Sequence, residues 1–131
     1  MADIARLKRR AEFLRVAEGR RKSVTPGLIL QIGRRLAAAE APQGTGADAV
    51  RVGFTASRKV GIAVERNRAR RRLKAAVAEV MPLHAALGHD YVLIARAATA
   101  TRPFAALVGD LETALRQLGA YCARPASPEP E

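Results

Sequence analysis

The sequence is poor in several features that identify common classes of protein. Its 131 residues include one cysteine, Cys122, and no tryptophan, and only 4% of them are aromatic. A single thiol excludes an internal disulfide and a cysteine metal cluster. The chain also lacks an apolar run of about 18 residues and an N-terminal signal-peptide pattern. We therefore predict no membrane-spanning helix and expect a soluble, cytoplasmic protein.

Patterns that carry enzyme chemistry are also scarce. The sequence shows no Ser/His/Asp set, no cysteine nucleophile with a partner and no paired carboxylates suited to a nuclease. His84 and His89 lack the neighbours of a metal site, and Gly44-Thr45-Gly46 lacks the lysine of a phosphate-binding loop. We expect no catalytic residue, no protein-bound metal and no small-molecule substrate.

Acidic residues are the third deficit. Asp and Glu number 12 against 23 Lys and Arg, so the formal net charge is +11. The excess lies in one part of the chain, because residues 1–74 hold 19 of the cations and 6 of the acids, whereas residues 75–131 hold 4 cations and 6 acids. Such a surplus attracts polyanions, and nucleic acid is a better candidate partner than an anionic membrane surface or an acidic protein.

Hydrophobic spacing predicts a small α+β domain. Apolar residues recur at helical spacing in three segments, 4–19, 63–81 and 103–121, and Pro82 is expected to end the second of these helices. Three apolar or alternating runs predict strands at 28–32, 49–57 and 89–97, with Val24 and Thr25 as a candidate edge strand. The order α-β-β-β-α-β-α predicts a single-domain two-layer sandwich over residues 1–121. We expect a flexible loop at about 39–48 and a disordered Pro-rich tail at 122–131.

The stretch "RNRARRRLK", residues 66–74, carries the highest density of charge. On a helix, Arg68 and Arg71 fall roughly opposite the core-facing Leu73, and Asn67, Arg72 and Lys74 flank them. A disordered basic tail would have no core-facing residues. An ordinary solvated face would mix charges, whereas Glu65 is the only acid between residues 49 and 78. We therefore expect this helix to bind nucleic-acid phosphates, together with Arg58 and Lys59 on the preceding connection and Arg66 at the helix start.

The surrounding motifs resemble a known family. The segment "RVGFTASRKVGIAVERNRARRRLKAA" joins a Val-Gly strand, a basic pair, a Gly turn and Arg-Asn-Arg followed by further cations. "RLKRRAEFLRV" precedes it and "DYVLIARA" follows it. Over residues 6–118 these motifs, in this order, resemble the bacterial ribonuclease P protein subunit. The resemblance implies a left-handed βαβ crossover, as in the second domain of a small-subunit ribosomal protein.

The resemblance also implies partners and a reaction. The family's protein binds a large catalytic RNA, and the pair removes the 5′ leader of precursor tRNA. The enzyme is thus an endoribonuclease whose hydrolysis is carried out by the RNA with bound Mg²⁺, and no protein residue is catalytic. An alternative reading of the same basic helix and fold type is a ribosomal or ribosome-assembly protein that binds structured rRNA.

Matching positions carry the family's roles onto this chain. The expected contacts with the catalytic RNA are Arg58, Lys59, Arg66, Asn67, Arg68, Arg70, Arg71, Arg72 and Lys74. The expected contacts with the leader, in a cleft between the first helix and the sheet, are Phe13, Arg58, Lys59 and Arg96. Ala17, Leu28 and Gln31 stand where the family often has aromatic residues, so the leader contact is expected to depend more on the cations.

Overall fold

The computed structural model describes residues 4–34, 50–86 and 89–122. The loop expected at about 39–48 lies outside these ranges, as does the tail after Cys122. The described residues form five strands and three α-helices, with the bounds β1 Ile4–Arg6, α1 Arg10–Glu18, β2 Arg21–Val24, β3 Leu28–Arg34, β4 Val50–Thr55, α2 Ala63–His84, β5 His89–Ala95 and α3 Phe104–Gln117. None of these helices is long and apolar enough to cross a lipid bilayer.

The five strands form one mixed sheet in the order β1-β4-β5-β3-β2. Strand β4 lies parallel to both β1 and β5, whereas β3 lies antiparallel to β5 and to β2. Because β4 and β5 are parallel neighbours, α2 is the crossover that connects them, as a parallel pair requires. This connection brings the chain segments that follow β4 and β5 to the same edge of the sheet.

Helices cover both faces of this sheet. On one face, α2 and α3 bury alternate residues of the central strands, including Leu30, Tyr91 and Leu93. On the other face, Val16 of the short α1 forms a smaller buried cluster with Leu7 and Val92. Burial on both sides explains why β5 is apolar along nearly its whole length. The α+β class is confirmed, and α1 adds a partial third layer to the expected two.

The structure corrects the predicted start of the first helix. Residues 4–6 form β1, which pairs with β4, and the chain stays extended until the Leu7 N–H donates to the Val52 carbonyl at 3.0 Å. Helix α1 begins only at Arg10, because the Glu12 carboxylate accepts the backbone N–H groups of Lys8 and Arg9 at 2.9 and 3.0 Å. Such an acid in the first turn satisfies N–H groups that have no helical partner.

The predicted end of the second helix is also wrong, since α2 continues through Pro82 to His84. The proline ring fixes a φ value that a helix accepts, and its missing N–H costs one helical hydrogen bond. Pro82 lies in the last turn of α2, so only a short segment follows the interruption. That segment is held by the strand-like bridge of Ala85 with Tyr121 and by the Cys122 N–H, which donates to the His84 carbonyl at 2.6 Å.

Candidate nucleic-acid interface

Helix α2 presents the predicted cationic face to solvent. Ala69, Leu73 and Val77 are buried against the sheet, which turns the opposite side of the helix outward. Arg68 and Arg71 are exposed in the middle of that side, and within the described residues neither is paired with an acidic side chain. Two like charges held close together without a counter-charge favour the binding of an anion.

One flank of α2 carries a row of cations spaced by four residues, Arg66, Arg70 and Lys74. The Arg66 guanidinium donates to the Gly61 carbonyl at 3.3 Å, and Arg70 Nη2 donates to Asn67 Oδ1 at 2.8 Å. Glu65 does not neutralise this row directly, because its carboxylate accepts the Ile62 backbone N–H at 2.9 Å and caps the helix. The row therefore adds positive charge to the exposed face.

Arg72 differs from the other predicted contacts, because its guanidinium is engaged by the protein backbone. Its Nε donates to the Thr99 carbonyl at 3.0 Å, and its Nη2 donates to the Arg102 carbonyl. These bonds tie α2 to the turn that follows β5, so the structure gives Arg72 a positioning role. The sequence pattern could not separate Arg72 from its neighbours, because the partners are carbonyls of a distant segment.

The basic residues that follow β4 and β5 are brought together. Arg58 and Lys59 lie exposed in a short 3-10 turn after β4, and Ser57 Oγ accepts the Lys59 backbone N–H at 3.3 Å. Arg96 directly follows β5, is also exposed, and donates from Nη1 to the Thr25 carbonyl at 2.7 Å. The turn of residues 58–60 contacts the turn of residues 97–100. A single basic edge thus forms from two segments that are far apart in sequence.

The second face of the sheet, where the leader cleft is expected, is only half-buried beside α1. The Phe13 ring packs directly over Gly53 of β4, where a Cβ would overlap the ring, and it remains half-buried. Beyond α1, the same sheet face continues with the half-buried Ile94, Ile29 and Gln31. Phe13 thus lies between α1 and the sheet, and its contact with the leader stays a prediction.

The three positions without a family aromatic differ in their relation to this cleft. Ala17 is exposed on α1 and Gln31 lies on the cleft face of β3. Leu28 is fully buried on the opposite sheet face, in the cluster with α2 and α3. Because side chains alternate along a strand, Ile29 takes the cleft-facing position next to it. The expectation that Leu28 affects the cleft directly is therefore wrong.

A buried ion-pair network fixes α1 to the sheet, and the sequence did not predict it. Arg51 is only 1% exposed because α1 covers it, although a charged residue in an alternating strand is ordinarily exposed. It donates to both carboxylate oxygens of Asp90 at 2.7 and 2.5 Å and to Glu12 at 3.0 Å. Glu12 also caps α1, so one guanidinium connects β4, β5 and the start of that helix.

The same network shifts two pKa values. Burial alone would raise the pKa of Glu12. The backbone N–H groups of Arg9 and Lys8 and the charge of Arg51 outweigh that effect, so the pKa lies below its ordinary value. The hydrogen bonds to Asp90 raise the pKa of Arg51 above its ordinary value against the opposing effect of burial. Both groups therefore remain charged at neutral pH.

Several acidic side chains, Glu12, Glu65, Asp90 and Asp110, are engaged structurally. Asp110, on α3, is buried and accepts hydrogen bonds from Arg102 Nε at 2.5 Å and Nη2 at 3.1 Å. Across residues 4–34, 50–86 and 89–122, no group of three or more His, Cys, Asp or Glu side chains is arranged to hold a metal ion.

Comparison with known proteins gives consistent matches along the chain. A family model described as Ribonuclease P matches residues 1–119. The ribonuclease P protein component of Paramagnetospirillum magneticum is 55% identical over 119 residues, which cover 91% of this chain and 86% of that protein. The corresponding protein of Gluconacetobacter diazotrophicus is 51% identical over 121 residues, which cover 91% and 96% of the two chains.

Solved structures share the fold. The Staphylococcus aureus RNase P protein superposes with a TM-score of 0.70 at 22% identity, covering 89% of this chain and 97% of that one. The Thermotoga maritima RNase P protein gives a TM-score of 0.64 at 21% identity, covering 86% and 94%. At these identities the structures support the fold, and the sequence matches establish the relationship. The chain belongs to the ribonuclease P protein family.

Proposed function

We propose that this protein binds the catalytic RNA of ribonuclease P through the exposed face of α2 and the turn that precedes it. The supporting observation is the pair of exposed arginines, Arg68 and Arg71, on a helix whose other side is anchored in the core. Arg forks fit phosphate oxygens, and a fixed helix sets their spacing in advance. The contacts are with the RNA backbone, so they recognise shape and position.

The cleft beside α1 is the proposed site for the single-stranded 5′ leader of precursor tRNA. Phe13 offers a half-buried aromatic ring, and Ile94 and Ile29 continue an apolar surface beside it. Arg58, Lys59 and Arg96 supply positive charge at the open end. An aromatic platform next to cations is the usual arrangement for binding single-stranded RNA.

The chemistry of leader removal is assigned to the RNA partner. Glu12, Asp90 and Asp110 are used in capping and in ion pairs, which is a structural role. The protein's part is to neutralise phosphates, hold α1 in place over the sheet and position the leader. Family membership favours this role over the ribosomal alternative.

A cleavage assay tests the proposal. Purified protein, catalytic RNA and precursor tRNA are combined at low Mg²⁺, and we expect the protein to lower the Mg²⁺ and salt concentrations at which the RNA cleaves. The protein alone should cleave nothing. Arg71→Ala should weaken the stimulation, whereas Arg116→Gln, in the exposed last turn of α3, should retain it. No stimulation by the wild-type chain would refute the proposal.

Phe13→Leu tests the cleft separately, because leucine keeps apolar contact with Gly53 while removing the aromatic ring. Loss of one stacked base corresponds to about 1–3 kcal/mol. We expect weaker binding of precursor tRNA by the holoenzyme and unchanged binding of mature tRNA, which has no leader. An equal loss for both substrates would place the leader elsewhere.

A further inference from the structure

A second aromatic site lies on the face of the sheet opposite the leader cleft. Phe54, near the end of β4, is half-buried at the wall of a groove of about 300 Å³ between the edge strand β1 and α2. Apolar side chains line most of this groove, namely Ile4, Val77, Ala78 and Pro82. Because α1 and Phe13 lie on the other sheet face, this groove is separate from the cleft described above.

Two cations stand over the Phe54 ring. The Arg6 guanidinium carbon lies 5.3 Å from the ring centroid and the Lys74 Nζ lies 6.0 Å from it. Both distances are within the range of a cation–π contact, and the Lys74 distance is at its outer limit. Both side chains are exposed, so each can move toward a ligand anion without loss of a buried contact. The groove therefore combines an aromatic wall with a positively charged rim.

The groove is continuous with the proposed RNA-binding surface. Lys74 is the last residue of the row that includes Arg66 and Arg70, spaced by one helical turn along a single flank of α2. A phosphodiester backbone that follows this row arrives at the mouth of the groove. The volume is at the lower end of the range for small-ligand pockets, so it suits one planar ring system better than a peptide segment.

We propose that this groove binds one unstacked nucleotide of the RNA partner, with its base against Phe54 and its phosphate between Arg6 and Lys74. The inference rests on the proposed binding of catalytic RNA by α2. Bases turned out of an RNA helix are commonly held by aromatic rings and arginine planes. The bound nucleotide would fix the position of the RNA along α2, which backbone contacts alone leave free to slide.

Affinity measurements with the ribonuclease P RNA alone, without precursor tRNA, test the groove. Phe54→Leu should weaken binding by about 5-fold or more, because stacking is worth about 1–3 kcal/mol and 1.4 kcal/mol is a factor of ten. Its salt dependence should stay unchanged, since no phosphate contact is lost. Lys74→Gln should weaken binding and lower the log–log salt slope by about 0.7–0.9. Arg116→Gln, in the exposed last turn of α3, should behave as wild type.

The outcomes separate the groove from the wider proposal. If the wild-type chain fails to bind the RNA, the proposed function is wrong. If it binds and Phe54→Leu matches wild type, the groove is not a nucleotide site and the function stands, whatever Lys74→Gln does, because Lys74 also belongs to the proposed RNA-binding face of α2. A thermal melt shows whether Phe54→Leu is folded, and the exposed Lys74 supplies a second variant that does not disturb the core.

Direct detection uses the full chain and adenosine or uridine 5′-monophosphate as probes. The methyl NMR signals of Ile4 and Val77 should shift in wild type and not in Phe54→Leu. Shifts caused by a short acidic peptide and not by either nucleotide would overturn the assignment in favour of a protein partner.

Discussion

Arg51→Met removes the guanidinium that joins α1 to the centre of the sheet while keeping a long unbranched side chain. The substitution takes two hydrogen bonds from Asp90, which is 3% exposed, and one from Glu12. Removing one partner of a buried pair costs about 3–5 kcal/mol, because the remaining charge is left uncompensated. The free energy of unfolding of a single domain is about 5–15 kcal/mol, so this loss is a large share of the stability.

Urea unfolding followed by far-ultraviolet circular dichroism measures the effect on the free energy of unfolding. The double variant Arg51→Met/Asp90→Leu removes both charges of the buried Arg51–Asp90 pair and leaves only the partly exposed Glu12, so it should recover most of the lost stability, since apolar replacements of buried pairs are often neutral. Arg68→Met is the matched control for losing one exposed cation and should change stability by less than about 0.5 kcal/mol.

Either of two results would contradict the expected effect of Arg51→Met. One is a loss below about 1 kcal/mol for Arg51→Met, which would mean that the network is too hydrated to behave as buried. The other is a double variant no more stable than the single one, which would mean that the methionine itself is not accommodated. If Arg51→Met does not fold at all, the double variant still reports on the charge imbalance.

Further substitutions test other parts of the structure. Glu12→Gln keeps an oxygen that can cap α1 but removes the charge. Because folding lowers the pKa of Glu12, the charged carboxylate stabilises the folded state fully above the unfolded-state pKa of about 4.3. That stabilisation is lost as the pH falls through the folded-state pKa. The difference in unfolding free energy from wild type should therefore shrink below about pH 4.3, and a difference that persists at about pH 2 would contradict this. Gly53→Ala should cost about 1–3 kcal/mol by overpacking against Phe13, whereas Gly109→Ala, which meets open space within α3, should gain about 0.5–1 kcal/mol in the same urea titration. Arg72→Gln should cost about 1–3 kcal/mol of stability and change the salt slope of RNA binding less than Arg71→Ala does; the reverse order would show that Arg72 contacts phosphate.

The spacing of apolar residues predicted the helices and strands whose buried residues recur at regular intervals. The buried positions of α2 and α3, such as Leu73, Leu107 and Leu111, follow helical spacing and are confirmed as core. Strand β5 was predictable because it is apolar along nearly its whole length. Local sequence carries this information, because each such element turns a continuous set of side chains toward one core.

Non-local contacts explain most of what the sequence left out. Strand β1 has three residues, and its extended form depends on pairing with β4. Ile4, for example, pairs with Val50, 46 positions later in the chain. The burial of Arg51 depends on α1 lying over it, and Asp110 lies against the distant Gly27. A charged residue in an alternating strand is ordinarily exposed, so the pattern predicted solvent at Arg51.

Some features of the candidate site were predictable from local sequence, and others depend on contacts between distant segments. The exposure of Arg68 and Arg71 followed from the opposite position of Leu73, and the structure shows it. The engagement of Arg72 by carbonyls and the cations over Phe54 depend on which segments meet in space. Glu12 had a local signal, because an acid three residues after the residue preceding a helix is typical of a capping box.

The central claim is that the exposed face of α2 holds the phosphates of the catalytic RNA. Its most direct test is the salt dependence of the dissociation constant for that RNA, compared between wild type and the Arg68→Ala/Arg71→Ala variant. Each lost phosphate contact should lower the log–log slope by about 0.7–0.9, so the double variant should lose about 1.4–1.8 and bind more weakly. A double variant with the slope and affinity of wild type would show that the RNA binds another surface.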